Sequence, residues 1–240
     1  MTQSLETISL TNLALSLTPA LFVLLIFLRW SLSIKNSLYA LLRMLSQLLL
    51  VGYALAFIFK SQNSGLILFI LFTMCIASSW IALGSIKEKR TALYKYALFA
   101  IFLGSGLTIL FITQGVLSLR PWFAPHYMIP IAGMIFASAM NSVSLAAERF
   151  HSEMQNKVYI SARNIAFQAA MIPVINSLFA VGLVSLPGMM TGQILSGISP
   201  FIAARYQIMV MAMIFGASGL STALYLSLIK TTYSRPNYEL

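Results

Sequence analysis

Long apolar runs separated by short polar ones set the pattern of this chain. Seven apolar stretches stand out, roughly Leu10–Leu28, Leu38–Phe59, Leu66–Leu83, Tyr96–Leu117, Tyr127–Ala147, Phe167–Leu195 and Ile208–Leu228. A helix rises about 1.5 Å per residue, so each stretch is about long enough to cross a bilayer. Hydrocarbon offers no hydrogen-bond partners, so a chain crosses it as helices or as a closed barrel. The runs are continuous rather than alternating, which excludes the barrel. The predicted fold is all-α: a polytopic transmembrane helical bundle of about seven spans, forming a single transmembrane domain over residues 1–240.

The sixth stretch is predicted to be broken. Pro173, Pro187 and Gly188 interrupt it, and proline removes a backbone donor and kinks a helix. Non-helical backbone at membrane depth survives where protein or a water-filled cavity covers it. An interrupted span is either a kinked structural helix or part of a transport pathway.

Composition strengthens the membrane assignment. Hydrophobic residues make up 59% of the chain and charged residues 8%, against about a quarter charged in soluble domains. Residues Met1–Leu10 carry Glu6 and neither Lys nor Arg. A secretory signal opens with a positive region, so the first apolar run is expected to stay as a span.

The net charge of +10 raises the question of nucleic acid. The basic residues are scattered between apolar runs instead of gathered with aromatics in one patch, so no nucleic-acid partner is expected. Membrane topology and anionic headgroups account for them. With the N-terminus outside, the inner segments hold Arg29, Lys35, Lys87, Lys89, Arg90, Lys95, Arg149, Lys157, Arg163, Lys230 and Arg235. The outer segments hold Lys60, Arg120 and Arg205, with Arg43 inside a span. That asymmetry predicts an N-out, C-in arrangement. Trp30, Trp80 and Trp122 fall near predicted span ends, where an amphipathic ring prefers to sit.

The chemistry that is missing narrows function further. There is no G-x-x-x-x-G-K-[ST] phosphate loop. Gly216-Ala217-Ser218-Gly219 lacks its lysine and lies in an apolar run, where small residues let helices approach. There is no H-E-x-x-H, His126 and His151 are predicted on opposite sides of the membrane, and Cys75 stands alone. No plausible Ser-His-acid set is present. The chain is therefore expected to be neither an enzyme nor a holder of a cofactor or resident metal. All five acids, Glu6, Glu88, Glu148, Glu153 and Glu239, fall in tails or loops. Proton-driven carriers usually run on carboxylates or histidines within spans. Uphill transport would thus draw its energy from a separate ATPase subunit. A path without carboxylates is also a poor cage for a bare ferric ion. It would use Asn, Gln, Ser, Met or backbone carbonyls, or carry the metal as a chelate.

Three polar constellations remain. Arg43 and Gln47 are spaced to share one face of the second span; the arginine either snorkels to headgroups or faces a path. In the fifth span Gly133, Ala137, Asn141 and Ser144 fall near one helical face, with Ser138 and Ser142 beside it. Such a stripe either packs on a neighbour or lines a path. The third is Leu186-Pro187-Gly188-Met189-Met190-Thr191-Gly192-Gln193, a turn or a helix break. Its methionines are packing residues or soft-metal ligands.

These residues also carry a family resemblance. Its marks are Arg43-x-x-x-Gln47-Leu48 with Val51-Gly52-Tyr53, then Ile129-Pro130-Ile131-Ala132-Gly133-Met134-Ile135. The longest runs from Val181 to Gly192 and continues through Ile194, Gly197, Pro200 and Tyr206-Gln207-Ile208-Met209-Val210. The chain resembles the FetB family of ABC transporter permeases, the membrane partner of the FetA ATPase. The resemblance implies a permease of the cell inner membrane, working as a homodimer with FetA-like ATP-binding subunits that hold the ATP and Mg. It implies ATP-driven export with iron as the bacterial substrate; similar plant proteins are linked to aluminium tolerance. Carried onto this sequence, the pathway or gate comprises Arg43, Gln47, Pro130, Gly133, Met134, Asn141, Pro187, Gly188, Met189, Met190, Gly192, Gln193, Tyr206 and Gln207. The polar segment 148–164 would dock the ATPase through Glu148, Arg149, Glu153 and Arg163. Members of that family carry a longer segment here with an L-G-A stretch, and Gly-Asn where this chain has Ala137-Ser138. The shortened segment keeps a second reading open, an ATP-independent channel or facilitator for a small polar solute.

Overall fold

The computed structural model describes residues 8–233; Glu6, Arg235 and Glu239 lie outside the described residues. The chain divides into two compact units at the Ser61–Gln62 junction.

The first unit holds α1 (Leu10–Ser16), α2 (Thr18–Arg29) and α3 (Lys35–Ile58). Ser9 caps α1, its hydroxyl accepting the Asn12 N–H at 3.2 Å. Pro19 sits in the first turn of α2, where a missing N–H breaks no helical bond. Within α2 only Leu24 is buried, and α3 has no buried residue. Leu48, Leu49, Leu50 and Tyr53 all stand exposed. Side chains this apolar need lipid or protein around them.

The second unit holds α4 (Ser64–Ala82), α5 (Arg90–Leu110), α6 (Pro125–Glu153), α7 (Tyr159–Ala180), α8 (Gly188–Leu195), α9 (Pro200–Leu228) and α10 (Lys230–Tyr233). A π-helical turn, Phe111–Val116, extends α5. Helix α9 packs on α5, α6, α7 and α8, while α6 packs on α4, α5 and α7. These two long helices therefore form the centre of the unit.

The packing is small inside and large outside. Ala97, Ala100 and Gly104 on α5, Ala132, Ala139 and Ala146 on α6, Ala162, Ala166 and Ala170 on α7, and Ala203 and Ala217 on α9 are buried. Phe69, Phe72, Phe99, Phe102, Leu107 and Phe111 are exposed. Lipid tails are as apolar as leucine, so helices gain nothing by hiding large side chains from them. Close van der Waals contact across small residues drives association instead.

The expected helical bundle is present. Six runs, Leu10–Arg29, Lys35–Ile58, Ser64–Ala82, Lys87–Val116, Pro125–Glu153 and Pro200–Tyr233, are long and apolar enough to cross a membrane. At 22 residues α7 has the length, but Arg163, Asn164, Gln168 and Asn176 dilute its apolar character. Among the described residues there is no strand, only an isolated bridge between Val181 and Ser185.

Two boundaries differ from the sequence expectation. The segment 148–164 is mostly helix instead of loop: α6 runs on to Glu153, α7 begins at Tyr159, and residues Met154–Val158 connect them. Glu153 accepts from Arg149 and Lys157 at 2.7 Å each; the Arg149 pair lies within α6 and supports its last turns, while Lys157 reaches back from the connection. Helix α9 starts at Pro200 instead of Ile208, because proline suits the first helical turn and Arg205 and Tyr206 are no barrier to helix.

Candidate functional site

A cavity of about 460 Å³ opens where α6, α7, α8 and α9 meet. Helix α6 contributes Met134, Ser138, Asn141, Ser142 and Leu145, positions that recur three and four apart and so share one face. Helix α7 contributes Ala170, Pro173, Val174 and Ser177; α9 contributes Gln207, Val210, Met211 and Ile214. The segment after α7 closes the remaining side with Val181, Ser185, Pro187, Gly188 and Met189.

That segment is where the sixth apolar stretch breaks. Helix α7 ends at Ala180, whose carbonyl accepts from the N–H groups of Leu183, Val184 and Ser185 at 3.2, 2.8 and 3.2 Å. The Gly182 N–H donates to the Ser185 carbonyl at 3.0 Å, closing a tight turn. Gly182 makes that turn possible with φ +83°, a conformation glycine adopts freely. Pro187 then precedes the first residue of α8. The N–H groups of Gly182, Leu183, Val184 and Ser185 are thus met within the turn.

Polar character in the cavity comes from hydroxyls and amides. Ser142 and Gln207 are both buried, at 2% and 5% exposure. The Gln207 Oε1 has no hydrogen-bond partner among the described residues. A buried carbonyl left without a partner costs about 1–3 kcal/mol. The thioethers of Met134, Met189 and Met211 add soft, polarisable surface. No carboxylate lines the cavity. Among the described residues, no three of His, Cys, Asp and Glu come together to hold a metal ion.

Of the residues picked out in sequence, Met134, Asn141, Pro187, Gly188, Met189 and Gln207 converge on this cavity. Ser138 and Ser142, placed beside the polar stripe, line it as well. Others go elsewhere. Gly133 turns toward α4, where a Cβ would sit 3.6 Å from Met74 Cε. Pro130 is exposed on α6. Met190 lines a neighbouring cavity of about 480 Å³ that shares Val181, Gln207 and Met211 with the first. Gly192, Gln193 and Tyr206 line neither, although Gln193 Oε1 is buried without a partner. In the first unit Arg43 and Gln47 do share a helical face. With its oxygen toward Arg43, the Gln47 amide accepts from the guanidinium at 3.1 and 3.3 Å. Glu148 and Arg149 are exposed at the end of α6, Glu153 is held between Arg149 and Lys157, and Arg163 lies on α7 against the Asn164 amide oxygen at 2.9 and 3.1 Å.

The sequence analysis missed the α7 wall, Ala170, Val174 and Ser177. Its only signal is the spacing Ala162, Ala166, Ala170, which marks the packed side of α7 and hence the position of the cavity.

The pattern of the Uncharacterised protein family (UPF0014) matches residues 10–160 and 156–233. The chain is 36% identical to the probable iron export permease protein FetB of Escherichia coli over 243 positions, covering 93% of this chain and 92% of that one. It is 32% identical to a UPF0014 membrane protein of Synechocystis, covering 82% and 83%. It is 31% identical to the protein ALUMINUM SENSITIVE 3 of Arabidopsis thaliana, covering 77% and 72%. No solved structure matches. The family match breaks at the connection between α6 and α7, and the FetB alignment has more positions than this chain has residues. FetB thus carries residues that this chain lacks. With a family match along nearly its whole length and membrane-spanning helices to accompany it, the chain belongs to the UPF0014 family of membrane proteins.

Proposed function

We propose that this chain is the membrane-spanning permease of an ATP-driven exporter, and that the cavity between α6, α7, α8 and α9 is its solute site. The observation that carries this is the break between α7 and α8, whose Val181, Ser185 and Pro187 line the cavity opposite Asn141 and Ser138 of α6. Discontinuous helices at membrane depth supply polar backbone and side chains to a passing solute. The similarity to an iron export permease supports iron as cargo. The lining of amides, hydroxyls and thioethers without a carboxylate suits iron carried as a chelate better than a bare ferric ion.

ATP and Mg belong to a separate ATP-binding subunit, and two copies of this chain pair in the assembly. The basic residues favour N-out, C-in, which puts the α6–α7 connection on the ATPase side. ATP-driven closure pushes on Glu148, Arg149 and the helix ends beside them. That rocks α6 against α7 and shifts the Val181–Pro187 turn between two arrangements. The solute must contact the two arrangements differently for this to move it.

A facilitator working without ATP is the second reading, favoured by the short Met154–Val158 connection and the break in the family match there. Purification from native membranes in mild detergent, followed by an ATPase assay with and without ferric citrate, separates the two. A co-eluting ATPase stimulated by the iron chelate supports the exporter. An eluate without ATPase even after crosslinking supports the facilitator.

A further inference from the structure

On an exposed side of the second unit, α7 and α9 enclose a groove separate from the solute cavity. Its inner part, about 660 Å³, is lined by Phe167, Met171, Ile172 and Ile175 of α7 and by Phe215 and Leu220 of α9, over a floor of Gly216 and Gly219. Past Phe167, Gln168 and Ala223 it continues into a chamber of about 420 Å³ lined by Arg163, Asn164 and Ser227. The groove is therefore apolar for most of its length and polar and cationic at one end.

We infer that this groove binds an anionic phospholipid of the bilayer, with its phosphate at Arg163 and one acyl chain along the glycine floor. Three features carry the inference. From Arg163 to Ile175, α7 rises about 18 Å, close to the roughly 15 Å thickness of one leaflet's hydrocarbon. The groove thus starts at headgroup level and ends near the midplane. Its floor is also open: an added Cβ at Gly216 meets nothing within 4 Å and one at Gly219 meets only Met171 Cε at 3.8 Å, which leaves room for a slender acyl chain.

The third feature is charge. Arg163 pairs with no carboxylate among the described residues; its guanidinium donates to Asn164 Oδ1. Its Cζ lies 6.0 Å from the Tyr159 ring centroid, and Lys230 Nζ lies 5.9 Å from the same centroid. Arg163 thus brings to the polar end of the groove a positive charge with no carboxylate against it among the described residues. Tyr159 fixes this end of the groove, its hydroxyl donating to the Leu226 carbonyl at 2.7 Å. A basic pocket between helices at the membrane surface suits an anionic headgroup.

The test uses the whole chain, purified in mild detergent, stripped of lipid and given back phosphatidylglycerol, phosphatidylcholine or inorganic phosphate. Bound lipid is read by native mass spectrometry and stability by thermal melting. Phosphatidylglycerol should be retained and should raise Tm, while phosphatidylcholine binds weakly and inorganic phosphate does nothing. Arg163→Gln should weaken phosphatidylglycerol about fivefold, the worth of one basic residue at an anionic surface, and leave phosphatidylcholine unchanged. Gly216→Leu fills the groove without a clash, since nothing lies within 4 Å of an added Cβ; it should lose either lipid. Arg205→Gln, on the first turns of α9 at the opposite end, should change nothing. Equal retention of the two lipids by the unmodified chain overturns the inference, and that comparison stands even if a variant fails to fold. So does a Gly216→Leu variant that keeps its lipid but splits a dimer, which would make the groove an interface between copies.

Discussion

Gly104 of α5 and Ser221 of α9 lie so close that a Cβ on the glycine would sit 2.7 Å from the Ser221 backbone nitrogen and 2.9 Å from its Cα. Backbone cannot yield as a flexible side-chain tip can, so this contact fixes the approach of α5 to α9. Gly104→Ala should lower stability by about 1–3 kcal/mol, the usual effect of overpacking. Gly106→Ala, two residues on with nothing within 4 Å, should leave it unchanged or raise it, since alanine is the better helix former. Thermal melting of the two variants in one detergent checks the contrast; equal losses would mean that α5 and α9 are less tightly joined.

Gln207→Leu should separate function from stability. The leucine removes a buried oxygen that has no partner among the described residues, so the melting temperature should hold or rise. Transport through the cavity should fall at least tenfold in a vesicle efflux assay with ferric citrate. A variant that transports normally would place the solute path elsewhere.

Glycine needs at the helix break differ from what the sequence suggests. Pro187-Gly188 draws attention in the sequence, yet an added Cβ at Gly188 meets nothing within 4 Å. Gly182 is the strained position, with φ +83°. Gly182→Ala should cost about 1–2 kcal/mol and impair transport, while Gly188→Ala alone should be tolerated in both. Parallel melting and efflux measurements on the two variants test this. Identical behaviour would mean that the turn can rearrange around either residue.

That contrast shows what the sequence makes legible. The rough position of the long apolar helices follows from apolar length, because the bilayer sets it; their number does not, since six runs rather than seven are long and apolar enough to cross. The break follows from Pro187 and the glycines, whereas Pro173, also expected to interrupt the stretch, stays inside a continuous α7; part of the cavity follows from polar residues that stand out in apolar runs, such as Ser138, Asn141 and Ser142. Which face of α7 turns inward does not follow from hydropathy. Exposed Ile172 and Phe179 and buried Met171 and Val174 are equally apolar, since lipid and protein interior ask for the same chemistry. Only the alanine spacing records that face. Helix ends are also masked: charged residues at 148–163 read as loop, while the Arg149–Glu153 pair supports the last turns of α6.

The end of α6 offers a direct test of coupling. Glu153 is engaged inside the chain by Arg149 and Lys157, whereas Glu148 is exposed one turn earlier. A docking partner therefore meets Glu148 with its charge available and Glu153 already neutralised. Glu148→Lys should reduce the ATPase recovered in a pull-down severalfold and leave melting unchanged, because a surface substitution away from other contacts is close to neutral. Glu153→Gln should act the other way: it loosens the helix end, so proteolysis within Met154–Val158 should quicken, and ATPase recovery should fall only as far as that fraying goes. If neither substitution changes ATPase recovery while proteolysis responds as expected, α6 is not the docking element. If no ATPase is recovered with the unmodified chain, the facilitator reading gains, and iron efflux from vesicles without ATP becomes the decisive measurement.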